Sequence, residues 1–94
     1  LLMKNVSLRQ IRIFSAAARH VSFTRAAQEM HLSAPAVSMQ IKELEEELGL
    51  ALFLRSGRKV ALTPAGEAFR IYADKVLSAL REAEAMMQTL KDAK

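Results

Sequence analysis

One stretch, Phe23 to Leu48 (FTRAAQEMHLSAPAVSMQIKELEEEL), constrains the fold more than any other. Phe23, Ala26, Ala27 and Met30 recur at i, i+3, i+4 and i+7, the spacing of one buried stripe on a short helix. Val37, Ile41, Leu44 and Leu48 follow at four, three and four, and define the buried stripe of a second helix. Between them lies a turn, Met30-His31-Leu32, with Leu32 apolar enough to anchor it. Ser33 reads as an N-cap, Leu32 and Val37 as a hydrophobic staple, and Gly49 as the C-terminal stop. Ala27 is small where two such helices would cross. This is the layout of a helix-turn-helix, with His31 standing where such motifs often place glycine.

The buried stripe of the second helix fixes its outward side. At about 100° per residue, Pro35, Ser38, Met39 and Lys42 project away from Val37, Ile41, Leu44 and Leu48. They occupy the first half of the helix, behind Ser33, where unpaired N–H groups and the positive dipole end suit a phosphate. A second helix whose N-terminal half enters the major groove is how helix-turn-helix proteins read bases. The alternative is an ordinary αα-hairpin with a solvated face.

The flanks decide between them. Upstream, Ser7-Leu8-Arg9-Gln10 is a capping box with Val6 and Ile11 at the staple positions. The helix it opens is expected to bury Leu8, Ile11, Phe14 and Ala18 and to end near Arg19. Ser22 reads as the N-cap of the next helix. Ser22, Thr24 and Arg25 gather at that N-terminus, a place to hold a backbone phosphate. Downstream of Gly49 the period changes to two: 52–56 and 59–62 are strand candidates around Ser56-Gly57-Arg58. So small a hairpin must lean on the helices. Its tip carries Arg55, Arg58 and Lys59. Three helices and a basic hairpin make a winged helix-turn-helix, the wing reaching phosphates or a minor groove.

Thr63-Pro64, as N-cap and first helical residue, opens a last helix to about Leu90, or roughly 40 Å. Phe69, Ala73, Val76, Leu80, Ala83, Met87 and Leu90 alternate spacings of four and three, a heptad seam over about three repeats. A domain this small cannot cover all of it, so the expected partner is a second chain, in either orientation. The fold class is therefore mainly α, a winged helix-turn-helix over 1–63 followed by a linker and dimerisation helix over 64–94.

Charge follows the same division. The net charge is +4, and residues 1–63 carry all of it, with nine Lys/Arg against five Glu. A polyanion partner requires an excess placed this way. There is no cysteine, so disulfides, thiolate metal sites and thiol nucleophiles are excluded. His20 and His31 stand at opposite ends of one short helix, and no convergent catalytic or metal-ligating set exists; neither enzyme activity nor a metal or cofactor is expected. No apolar run is long enough to span a membrane, and the long helix is too charge-balanced for a membrane surface. A soluble, cytoplasmic protein is the expectation. Glu43, Glu45, Glu46 and Glu47 argue mildly for a protein–protein module, because acids repel phosphate. They sit toward the helix C-terminus, however, where the groove would be leaving, and so can coexist with DNA binding. The Glu45-Glu46-Glu47 run also opposes the helix dipole, and nothing in the sequence accounts for it.

With these elements in place, the chain resembles the N-terminal domain of LysR-type transcriptional regulators. The resemblance rests on Leu8-Arg9-Gln10…Phe14, SFTRAA (22–27), LSAPAVSMQIKELEEELG (32–49), LF (52–53) and GRKVALTPAG (57–66), and covers about residues 7–90. It implies a winged helix-turn-helix, a linker helix that pairs two subunits, and binding to an interrupted palindrome in double-stranded promoter DNA, with higher oligomers in the full-length protein. It also implies an effector-binding domain after the linker helix, which would make this chain a DNA-binding fragment. Carried over by position, Ala34, Pro35, Ser38, Met39 and Lys42 fall on groove-facing sites and Arg58 on the wing contact. Ala34 stands where Gln is frequent and Met39 where Arg or another polar residue is frequent. Neither makes bidentate base contacts, so thymine methyls and groove shape become the expected readout. The HLS.PAVSMQIK wording is similar to that of regulators of carbon-fixation operons.

Overall fold

The computed structural model describes residues 1–93. Three helices come first: α1 (Leu8–His20), α2 (Phe23–Met30) and α3 (Ala34–Leu48). An antiparallel hairpin follows, β1 (Phe53–Ser56) and β2 (Lys59–Leu62), and then the long α4 (Pro64–Asp92). In the hairpin Phe53 pairs with Leu62 and Ser56 with Lys59, so Gly57 and Arg58 form the turn. Gly57 takes φ 60, a left-handed conformation that costs glycine little.

Every helix starts at a cap legible in the sequence. Ser7 accepts the Gln10 N–H at 3.1 Å while Gln10 Oε1 accepts the Ser7 N–H at 3.1 Å, completing the capping box. Ser22 accepts from Arg25, Ser33 from Ala36 and Thr63 from Gly66, each through the backbone N–H. Such caps each contribute about 1 kcal/mol. His31 does occupy the left-handed turn position, at φ 57, and Gly49 ends α3 at φ 72.

The core departs from the expected stripe of α1. Leu8 is 42% exposed, whereas Ile13, Ala16 and Ala17 are fully buried together with Ile11, Phe14 and Ala18. The reason is position: α1 packs against α2, α3 and α4 at once, so most of its circumference is covered, and Leu8 in its first turn lies outside that enclosure. The α3 stripe is as expected, with Val37, Ile41, Leu44 and Leu48 all buried. Burial of each such side chain stabilises by roughly 1.5–3 kcal/mol.

All four phenylalanines form one row through this core. Phe69 of α4 meets Phe14 of α1 edge-on at 5.0 Å between ring centres, Phe14 meets Phe53 of β1 at 5.6 Å, and Phe53 meets Phe23 of α2 at 5.1 Å. The Phe69–Phe14 and Phe14–Phe53 rings meet at 70° and 55° and Phe53–Phe23 at 87°, edge-on or tilted geometries that favour the aromatic quadrupoles beyond simple area burial. The row joins wing, α1, α2 and α4.

It also corrects the reading of α4. Phe69 packs on Phe14 and Ala73 is 2% exposed, so these two seam positions face their own domain, as does Leu77. The apolar side chains left outward are Ile71, Tyr72, Val76, Met86, Met87 and Leu90, all more than 40% exposed. Gly66 explains how α4 docks so closely: a Cβ there would lie 2.1 Å from the Leu52 carbonyl oxygen. Thr63 completes the joint, its hydroxyl donating to Ala51 O at 2.6 Å while accepting the Gly66 N–H at 2.9 Å.

A polar triad ties α1 to α2. Arg19 donates to both carboxylate oxygens of Glu29, at 2.9 Å from Nη2 to Oε2, and His20 Nε2 lies 2.9 Å from Oε1. The hydrogen bonds from Arg19 and then His20 hold the Glu29 carboxyl down at about 2. Folding lowers this pKa, so the stabilisation is present above the ordinary carboxylate value of 4.5 and is lost as pH falls toward about 2. Comparing wild type with E29Q by thermal unfolding should therefore show an advantage at neutral pH that disappears across that window. An advantage that persists at pH 2 would contradict the assignment.

Candidate nucleic-acid interface

The outward flank of α3 is built as its periodicity requires. Because Val37, Ile41, Leu44 and Leu48 point inward, Pro35, Met39 and Lys42 stand exposed, Met39 at 61%. An exposed methionine between a proline and a lysine, at the positive end of a helix capped by Ser33, presents both apolar contact and charge. The other two candidate positions differ. Ala34 is half-buried and packs against the core. Ser38 is half-buried under the wing, where Arg55 Nη1 donates to its Oγ at 3.1 Å.

The wing divides its basic residues between two jobs. Arg58 and Lys59 are exposed at the tip. Arg55 instead folds back on the helices: besides Ser38, its Nη2 lies 3.6 Å from Glu45 Oε1 and its guanidinium sits 4.8 Å from the centre of the Phe23 ring. Strand alternation explains the direction. Arg55 is two residues from the buried Phe53 and shares its face, while Leu54 points outward at 61% exposed. At the start of α2, beside Phe23, Ser22 is half-buried as the cap, and Thr24 and Arg25 are exposed. Ser22–Arg25, the flank of α3 and the root of the wing thus converge around the Arg55 guanidinium.

Sequence reasoning missed the residue that makes this convergence possible. Glu45 Oε2 accepts the backbone N–H groups of Leu52 at 2.7 Å and Phe53 at 3.2 Å, while Oε1 faces Arg55. One carboxylate therefore satisfies the first N–H groups of the wing and seats its arginine. Glu47 has a smaller role, accepting the Asn5 N–H at 3.3 Å. The acidic run that opposes the dipole of α3 is thus partly structural; nothing in the structure explains Glu46. The available signal was Ser38 and Glu45 seven residues apart, two turns along one flank, opposite an arginine on the inner face of a strand.

Among the described residues, no group of three or more His, Cys, Asp or Glu is placed to hold a metal ion. A groove of about 510 Å³ between α1 and α4 is lined by Arg12, Ser15, Arg19, Asp74, Leu77 and Arg81, among others, and includes no residue of α3 or the wing. No described helix is long and apolar enough to cross a membrane.

The family model for the bacterial regulatory helix-turn-helix protein, lysR family, matches residues 8–67, the span that contains every element just described except most of α4. The chain belongs to the LysR family. It is 54% identical over 87 residues to the RuBisCO operon transcriptional regulator of Allochromatium vinosum, covering 93% of this chain and 29% of that protein. It is 44% identical over 90 residues to the HTH-type transcriptional regulator CfxR of Cupriavidus necator, covering 96% of this chain and 28% of that protein. These relatives are transcriptional regulators, not enzymes, and the resemblance to the carbon-fixation branch of the family is shown by the relative named for the RuBisCO operon. This LysR chain spans under a third of the length of the curated relatives it matches. Among solved structures it is similar to the DNA-binding domain of BenM in complex with catB site 1 DNA. The TM-score is 0.90 and the identity 38%, over 95% of this chain and 100% of that one. The winged helix-turn-helix expected from the sequence is therefore the fold.

The role given to Glu45 separates it from its neighbour. E45A removes the acceptor for two wing N–H groups and should lower stability by about 1–3 kcal/mol in urea unfolding. E46A, on the exposed side, should stay within about 0.5 kcal/mol of wild type. Equal effects would contradict the structural assignment.

Proposed function

We propose that this LysR-family chain binds double-stranded promoter DNA sequence-specifically and as a homodimer. α3 (34–48) occupies the major groove and the wing (55–59) lies on the adjacent backbone or minor groove. The observation that carries the reading is the exposure of Pro35, Met39 and Lys42 on the N-terminal half of α3, on the same domain as the exposed basic wing tip. Helices capped by serine at the start of α2 and α3 offer backbone N–H groups and positive dipole ends to phosphates, through Ser22, Thr24, Arg25 and Ser33. Arg58 and Lys59 supply phosphate contacts from the wing, while Lys42 faces the groove from the far end of the α3 flank.

Sequence discrimination comes from Pro35, Ser38 and Met39, with Ala34 beneath them. Met39 has no hydrogen-bond donor to offer, so it favours thymine methyls over guanine edges. The DNA-binding domain of BenM, a structural neighbour, forms a complex with catB site 1 DNA, which supports the same placement.

Residues 64–94 form the linker that pairs two subunits. The outward apolar residues of α4, from Tyr72 and Val76 to Met87 and Leu90, continue past the domain's own core and support this division of labour. Leu80 and Ala83 lie along the same length of helix; Phe69 and Ala73 contribute by fixing α4 to the domain. Two domains held by one linker pair match the two half-sites of an interrupted palindrome. The full-length protein forms higher oligomers on its promoter and acts in the cytoplasm, on the nucleoid.

Binding to a labelled promoter duplex across a salt series tests this. Affinity should fall with a log–log slope of roughly −0.9 per phosphate neutralised. R58A should weaken all sequences about equally and reduce the slope by about one phosphate. No duplex binding at low salt, or an R58A effect confined to one sequence, would overturn the reading.

A further inference from the structure

We propose that Arg55 is a positioning residue that makes Ser38 a hydrogen-bond donor toward the DNA bases, so that this position of α3 selects a base-edge acceptor. The inference rests on the DNA-binding reading above and adds the chemical sense of one contact. A serine hydroxyl carries one proton and two lone pairs and can serve either as donor or as acceptor. By itself it discriminates poorly between a major-groove acceptor and an amino group.

Arg55 removes that ambiguity. Its guanidinium has donors only, so in the 3.1 Å contact from Nη1 the Ser38 oxygen must accept. The bond is charge-assisted, which engages one lone pair and draws electron density from the hydroxyl, strengthening its remaining role as a donor. The guanidinium itself is held in place from two other sides, by Glu45 Oε1 at 3.6 Å from Nη2 and by the Phe23 ring at 4.8 Å. Glu45 in turn is fixed by the Leu52 and Phe53 N–H groups. The orientation of Arg55 is therefore set by the fold, before any nucleic acid arrives.

The hydroxyl proton is also kept from its usual helical outlet. A serine or threonine inside a helix commonly donates to the carbonyl four residues back. Thr89 does so, its Oγ1 donating to Ala85 O at 3.0 Å. Ser38 makes no such bond among the described residues; its partner is Arg55. The hydroxyl is half-buried on the edge of the exposed Pro35–Met39–Lys42 flank, and with its oxygen accepting from Arg55 its proton is left to donate to an acceptor brought against that flank. The acceptors it matches in a major groove are N7 and O6 of guanine, N7 of adenine and O4 of thymine, and the base it rejects is the cytosine amino edge.

The experiment begins with the tightest duplex selected from a random pool. Purines are replaced singly by 7-deaza analogues, guanines also by an analogue lacking O6, thymines by an analogue lacking O4, and cytosines by an analogue lacking the amino group. With the wild-type chain, one acceptor position per half-site should cost about tenfold in affinity. With S38A that position should become indifferent while penalties elsewhere persist. R55M should reduce the same penalty with Ser38 still present, and R55K, which restores a cationic donor, should bring it back. R55M also loosens the wing by releasing Glu45, so S38A, which leaves the wing anchored, carries the decision. An S38A profile identical to wild type would overturn this inference alone, as would a Ser38-dependent penalty at a deleted amino group. Absence of wild-type duplex binding at low salt would overturn the DNA reading and this inference together.

Discussion

The carboxylate of Glu45 is the joint on which the functional surface depends. It sits near the C-terminal end of α3, where a negative charge is disfavoured by the helix dipole. The penalty is offset there because the carboxylate accepts two wing N–H groups and faces Arg55. Without that acceptor, the chain entering β1 would present unpaired donors at a partly buried site, a cost of about 1–3 kcal/mol. A local electrostatic penalty at one helix end is thus offset by ordering the next element of the fold.

The geometry of the surface follows from two rigid anchors. One is the Glu45–Arg55 contact, which sets the root of the wing against α3. The other is the aromatic row Phe69–Phe14–Phe53–Phe23, which fixes β1 and α4 to the helices behind it. Between them the first half of α3 is left with its outward side uncovered. Gly66 and Thr63 then start α4 directly from the wing, without slack, so the direction of the linker helix is coupled to the position of the wing.

Most of this arrangement was legible because it is written in local patterns. The caps at Ser7, Ser22, Ser33 and Thr63 are short-range signals, and the α3 stripe has an uninterrupted helical period. The positions whose surroundings local patterns did not show share one cause, which is a neighbour distant in sequence. Ile13 is buried, and Leu8 exposed, because α1 is enclosed on three sides, whereas a periodicity argument assumes one buried face. Phe69 and Ala73 fit a heptad seam equally well whether they meet a partner or their own α1, and α1 takes them. Arg55 reads as one more cation at a basic tip until strand alternation places it on the inner face with Phe53.

The central claim is that the outward side of α3, rather than the exposed length of α4, meets DNA. Methionine methyl groups report on both, since Met39 lies on α3 and Met86 and Met87 near the end of α4. Methyl-labelled protein titrated with its selected duplex, followed by NMR, should show a large shift or broadening at Met39 and little change at Met86 and Met87. The reverse pattern, with Met39 unmoved at saturating duplex, would contradict the account.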